Sequence, residues 1–367
     1  MGEQTSRRHD VSGAPTQLGG AEARPQRLLT EVLPKAELHV HIEGTFEPEQ
    51  IFAFAERNGV KLKYPNVEAL RAAYQFSDLQ SFLDLYYEAM SALKTERDFE
   101  ELALAYLKRA QSQNVRHAEI FFDPQAHLQR GLRFDTVIDG LWSALSRSER
   151  DFGISTKLIM CFLRDLPQRS AMETFDLALP YLERIVAVGL DSAELGNPPS
   201  KFAAVFERAR AHGLMAVAHA GEEGPPEYVW DALDTLKVVR IDHGVRSLED
   251  PALVRRLRRT RMPLTVCPLS NVRLRVVPSL EAHPLRRMLD AGLVATVNSD
   301  DPAYFGGYAG DNYEQCAEAL GLSDADLVQL ACNSFEAAFI YDGARQKYYD
   351  AIDAAISGES RDVAVGT

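Results

Sequence analysis

Two histidines one residue apart carry the first chemical signal of this chain: His39 and His41, in the run AELHVHIEG (36–44). A strand alternates its side chains with period two, so the pair would share one face, with Cα atoms roughly 7 Å apart, close enough to grip a single ion. Two further apolar runs end in donors of the same kind. LMAVAHAGEE (214–223) carries His219, and LVATVNSDD (293–301) ends in Asp300 and Asp301. Three neutral imidazoles and one carboxylate, with a position left for water, suit catalytic zinc, which brings the pKa of its water to about 7. Iron, manganese or cobalt accept the same donors. Glu222 in HAGEE, His243 in RIDHG and Asp301 stand beside these residues and have acid, base or electrophile character. Adjacent residues of an extended chain point apart, so one of the two aspartates is expected at the metal and its neighbour toward a substrate. A lone histidine is more often structural than a ligand, and His9, His117, His127, His212 and His283 are read that way.

Positioning such a set requires strands that end on one rim. β-branched and apolar runs recur at 36–42, 115–122, 155–163, 186–193, 213–220, 238–243, 262–267 and 293–299, and stretches of helical spacing such as 134–150 and 200–213 lie between them. This alternation predicts an α/β fold, a (β/α)8 barrel of the triosephosphate-isomerase type, whose catalytic residues come from the C-terminal ends of several strands. An open doubly wound sheet would be expected to show a Gly-rich phosphate turn after its first strand, where HVHIEGT offers histidines and a carboxylate. Between the first two strands, 51–59, 74–90 and 96–113 have helical periodicity and form an insertion. Its Phe76, Leu79, Phe82 and Leu83 could supply an apolar lid or merely pack helix on helix. Residues 312–356 read as further covering helices.

Bulk composition narrows the function classes. The 367 residues are 46% hydrophobic and 25% charged, a globular composition. With 40 Lys plus Arg against 53 Asp plus Glu, the net charge of -13 would repel polyphosphate, so no nucleic-acid partner is expected. Cys161, Cys267, Cys316 and Cys332 form no C-x-x-C pair, which suggests neither a disulfide framework nor a thiolate zinc knuckle and fits a reducing cytoplasm. No run approaches the ~20 apolar residues of a spanning helix, so no membrane partner is expected. Residues 1–30 are read as a mobile N-terminal tail, 31–356 as one domain and 357–367 as a C-terminal tail.

The motifs LPKAELHVHIEGT (33–45), HAGEE (219–223), RIDHGV (240–245), TVCPLSN (265–271) and VNSDDP (297–302) together strongly resemble the adenosine and adenine deaminase family of the amidohydrolase superfamily. FFDPQAH (121–127), LDSAELGNPPSKF (190–202) and GEEGPPEYVW (221–230) look like its adenine deaminase branch. The resemblance implies that His39, His41, His219 and Asp300 bind one zinc ion, with Glu222, His243 and Asp301 as the catalytic group. Two-metal relatives usually bridge their ions through a modified lysine at the end of strand four, and LDSAELGN has none, so a single metal is expected. The implied reaction is hydrolytic deamination of a purine at C6, with adenine going to hypoxanthine and ammonia in purine salvage. Adenosine deaminases usually carry aspartate at the position of Glu43 and glycine at that of Glu194. The two glutamates here are therefore expected at the substrate, Glu194 with Ser192 accepting from the N3/N9 edge and Glu43 closing the sugar side. The alternative for both glutamates is that they bond to backbone or neighbouring groups. Alternative functions are deamination of adenosine, an N6-substituted adenine or an aminodeoxyfutalosine-like compound, or a catalytically silent purine-binding protein. A small purine is the expected partner, and self-association into a homo-oligomer is left open.

Overall fold

The computed structural model describes residues 28–357, and within them strand and helix alternate as the periodicities require. The strands are β1 (Lys35–His41), β2 (Val115–Phe122), β3 (Ser155–Leu163), β4 (Ile185–Asp191), β5 (Met215–Ala220), β6 (Arg240–His243), β7 (Pro263–Val266) and β8 (Val294–Val297). They lie in the order β1 to β8 and every neighbouring pair is parallel. Just past β8 the chain returns to β1: Asp300 N–H donates to His39 O and His41 N–H to Asp300 O, both at 3.0 Å. The Asn298 side chain adds a bond from Leu38 N–H at 2.8 Å. The fold is a (β/α)8 barrel, and the strands agree with the expected runs within two residues at each end. Tails expected at 1–30 and 357–367 fall, apart from 28–30 and 357, outside the described residues.

Strands of a parallel barrel are covered on both faces, which is why they read as near-continuous apolar runs; in β3 Leu158–Leu163 is buried throughout. Phe121, Ile159, Cys161, Ala187 and Val217 make a small apolar cluster of their own, one residue or two from each of β2 to β5. A fully buried ion pair, Arg240 Nη1 to Glu119 Oε2 at 2.5 Å, is completed by His117 at 3.1 Å from Glu119, so neither charge is left uncompensated in low dielectric. The helix Asp324–Ala337 holds the β8/β1 seam: Ser334 Oγ accepts from Ala36 N–H at 2.9 Å, and Asn333 Nδ2 donates to Ala295 O at 2.8 Å.

The insertion between β1 and β2 forms the helices Pro48–Arg57, Val67–Ala72, Leu79–Ala89 and Glu96–Ser112. Asp78 starts the third of these through a reciprocal cap with Ser81, satisfying N–H groups that a helix start leaves orphaned. Phe82 then packs on Phe305 and Tyr304, with ring centroids 4.7 and 5.5 Å apart, and draws this helix over the strand ends. Among the described residues no helix is long and apolar enough to cross a membrane.

Candidate active site

At the C-terminal ends of the strands, a cavity is lined by His41, His219, Glu222, His243, Asp300 and Asp301. Its walls include Leu79, Phe82, Leu83, Tyr86 and Tyr87 from the insertion, so three of the four expected lid residues line it. Phe76 packs behind Phe82, centroids 5.4 Å apart, and is support for the lid.

His39, His41, His219 and Asp300 each offer a ligand atom, and these four atoms lie within 4.8 Å of one another in buried surroundings. His41 Nε2 is 3.2 Å from His219 Nε2, His39 Nε2 is 3.2 Å from Asp300 Oδ1, and His41 Nε2 is 3.5 Å from the same oxygen. A tetrahedral zinc site with bonds of about 2.0–2.1 Å has ligand edges of about 3.3 Å. The outer nitrogens fix the tautomers. Thr265 Oγ1 donates to Asp242 Oδ1 at 2.8 Å and therefore accepts from His39 Nδ1–H at 3.0 Å, leaving the His39 Nε2 lone pair for the cluster. His41 Nδ1 faces Asp191 Oδ2 at 3.5 Å and His219 Nδ1 faces Asp242 Oδ2 at 3.7 Å. Carboxylates behind ligating imidazoles are the usual support of a metal site. Burial holds His219 well below the ordinary histidine range, helped by repulsion from His39, His243 and His41, and brings His41 down to about 4. Neutral lone pairs are what a metal requires. His39 Nε2 is buried and has no hydrogen-bond partner among the described residues, so the donor set fits zinc.

His243 takes the opposite tautomer. Leu285 N–H donates to His283 Nδ1 at 3.1 Å, His283 Nε2–H then donates to Asn271 Oδ1 at 3.1 Å, and Asn271 Nδ2 donates to His243 Nδ1 at 3.4 Å. This relay leaves the proton of His243 on Nε2, aimed at Glu222 Oε2 (3.6 Å) and Asp300 Oδ2 (3.7 Å). Burial lowers His243 to about 3, so its ring is a neutral hydrogen-bond donor. Burial, then the Asp300 charge, raises Glu222 well above the carboxylate range, and the same two causes raise Asp301. Both shifts favour the protonated, hydrogen-bond-donating form. Asp300 is lowered instead, by the rings of His39, His243 and His41 against the effect of burial, the direction a carboxylate ligand needs.

Local backbone conformation places these groups. Ser192, His243 and Asp300 have φ of 72°, 62° and 64°, left-handed conformations rare for such residues, and all three line the cavity. The extended geometry expected for Asp300 and Asp301 is thus corrected. Asp300 turns the chain after β8, and both carboxyls reach the cavity. Gly44 permits the approach of Asp301, since a Cβ there would lie 2.6 Å from Asp301 Cα.

For Glu194 and Glu43 the contacts found are those of the alternative, bonds to backbone and neighbouring groups. Glu194 accepts from the N–H groups of Gly221, Glu222, Glu223 and Gly224 at 2.7, 3.1, 2.8 and 2.7 Å. Both of its oxygens are consumed in shaping the loop that carries Glu222. Glu43 is buried beside the cavity, accepting from His127 Nε2 at 2.8 Å and Asp123 N–H at 3.2 Å. Arg130 donates to His127 Nδ1 at 2.6 Å, which fixes that tautomer. Ser192 does line the cavity, where its Oγ accepts from Tyr87 OH at 3.0 Å. Sequence reasoning passed over Asp123, Asp191, Asp242 and Thr265. The first two end or follow strands in FFDP and GLDS, the same signal that marked Asp300.

Comparison with known proteins follows the same lines. A family model described as "Adenosine deaminase" matches residues 34–355. An adenine deaminase of Streptomyces coelicolor is 64% identical over 324 residues, 88% of this chain and 95% of that protein. The crystal structure of adenine deaminase from Arthrobacter aurescens superposes with a TM-score of 0.88 at 53% identity, covering 89% of this chain and 99% of its own. An amidohydrolase from Burkholderia ambifaria, with bound Zn, gives a TM-score of 0.83 at 28% identity, covering 90% and 93%.

Proposed function

This chain belongs to the adenosine deaminase family and is an aminohydrolase; from that premise we propose that it converts free adenine to hypoxanthine and ammonia, in purine salvage in the cytoplasm, with one zinc ion held by His39, His41, His219 and Asp300. The observation that supports this most is the convergence on one buried cavity of that donor cluster with two carboxyls, Glu222 and Asp301, which burial and the Asp300 charge push above their ordinary range. Adenine offers lone pairs at N1 and N7, and a donor is what each requires.

When bound, the metal would lower the pKa of a water and supply a nucleophile at neutral pH. The residues do the rest. Glu222 donates its proton to N1 as oxygen adds to C6, which takes up the electron pair displaced from the C6–N1 bond and makes C6 tetrahedral; the C6–N6 bond then breaks, the amine leaving as ammonia with the proton that the added hydroxyl gives up as it becomes the C6 carbonyl. His243 directs Nε2–H at the incoming oxygen and offsets its developing charge. Asp301 donates to N7 and keeps the ring in register. The Leu79–Ala89 helix covers the cavity with Leu79, Phe82 and Leu83, which excludes bulk water and strengthens each of these interactions.

The test is ammonia release from adenine, adenosine and N6-substituted purines on a preparation of known metal content. Adenine is expected to have the highest kcat/KM. Another purine exceeding it by tenfold would overturn the assignment.

A further inference from the structure

Five carboxyls line the cavity, and the reaction as described brings no purine atom to two of them, Asp123 and Asp191. A purine is flat and rigid, so once C6 sits at the metal cluster with N1 at Glu222 and N7 at Asp301, only the N3/N9 edge remains to be read. In free adenine that edge presents an acceptor, N3, and a donor, N9–H. A nucleoside has lost the donor. The polar lining not yet assigned consists of Asp123, Asp191, Ser192, Tyr86 and Tyr87. Asp191 is spoken for, with Oδ2 facing His41 Nδ1. Asp123 also lines the cavity, and its Oδ1, like both oxygens of Asp191, is buried without a hydrogen-bond partner among the described residues, but it makes no ion pair with a ligating histidine and so is left for the substrate. Tyr87 OH donates to Ser192 Oγ, so the serine's own proton is free for another acceptor. Ser192 also sits in a left-handed backbone conformation, which turns it toward the cavity just past β4.

We propose that Asp123 and Ser192 form the base-selective end of the pocket, Asp123 accepting from N9–H and Ser192 donating to N3. This takes the place of the contact expected from Glu194, whose oxygens are committed to the 221–224 loop. It rests on the adenine reading above. An N9-substituted purine would leave the buried Asp123 oxygen without its donor and press the substituent against it, so nucleosides are refused at this end.

The experiment measures kcat/KM of metal-loaded protein on adenine, 9-methyladenine and 3-deazaadenine. Asp123→Ala should lower adenine efficiency by about tenfold to a hundredfold, mainly through KM, and leave 9-methyladenine unchanged or improved. Asp123→Asn, which keeps the shape and one acceptor oxygen, should restore most adenine turnover. Ser192→Ala should lower adenine by a similar factor and leave 3-deazaadenine, which lacks the N3 acceptor, unaffected. Equal losses on adenine and its analogue in either pair, or unchanged adenine turnover, would overturn the proposal. If Asp123→Ala does not fold, the Ser192 pair decides by the same criterion. Absence of adenine deamination by the unmodified protein would remove the underlying functional reading instead, which is a separate and recognisable result.

Discussion

Replacing Glu194 by glutamine separates a residue that shapes a loop from one that touches substrate. The carboxylate takes one N–H on Oε1, from Gly221, and three on Oε2, from Glu222, Glu223 and Gly224. Glutamine can direct its single oxygen at the three, which turns its NH2 toward Gly221 N–H, a donor facing a donor. Three bonds drop from charge-assisted to neutral strength, about 1 kcal/mol each, and one buried N–H is left unsatisfied at about 1–3 kcal/mol. The amide is easier to bury than the carboxylate, which offsets part of this, so the net loss is about 2–4 kcal/mol. Because the same loop carries Glu222, kcat should fall at least about tenfold with KM changing less. Removing the negative charge also relieves one of the causes that raise Glu222, so the alkaline limb of the rate profile should move to lower pH. Denaturant unfolding and steady-state kinetics on adenine and adenosine measure these effects together. The ratio of the two substrates should stay constant. Unchanged stability with a tenfold shift in that ratio would place Glu194 at the substrate and refute the reasoning.

Glu222→Gln keeps the shape and every metal donor, so metal content should be normal while kcat falls by about 10²–10⁴; near-normal turnover would remove Glu222 as the acid. His283 provides the pH prediction. Burial brings it from 6.5 to about 4, so the unfolded chain binds a proton below pH 6.5 that the folded chain refuses until about pH 4. Stability from this group is complete above pH 6.5 and is lost as pH falls toward 4, about 3 kcal/mol in all. His283→Gln preserves the bonds to Leu285 N–H and Asn271 and cannot titrate, so its unfolding free energy should fall less across that window; parallel curves for both proteins would contradict the assignment.

The barrel was legible because each buried strand is a short apolar run and each run ends in polar residues, and the cluster of His39, His41, His219 and Asp300 was legible because those types stand at run ends. What lay beyond reach depends on register and loop path. Thr265 and Asp242 support His39 only because β6 and β7 pair those two residues directly. Glu194 looked like a substrate contact since it follows β4, yet its partners are backbone N–H groups, which every residue type but proline supplies and which leave no mark in a sequence. Asp300 broke the extended pattern through one left-handed φ, set by the Val40–Asp300 bridge that joins the last strand to the first.

The central claim is a single metal in a four-donor site that drives adenine hydrolysis. Protein stripped by a chelator and titrated with zinc, with ammonia release from adenine followed at each step, tests it most directly. Activity should start near zero and rise linearly to a plateau at one zinc per chain. Full activity in the stripped protein, or a plateau only at two, would contradict it.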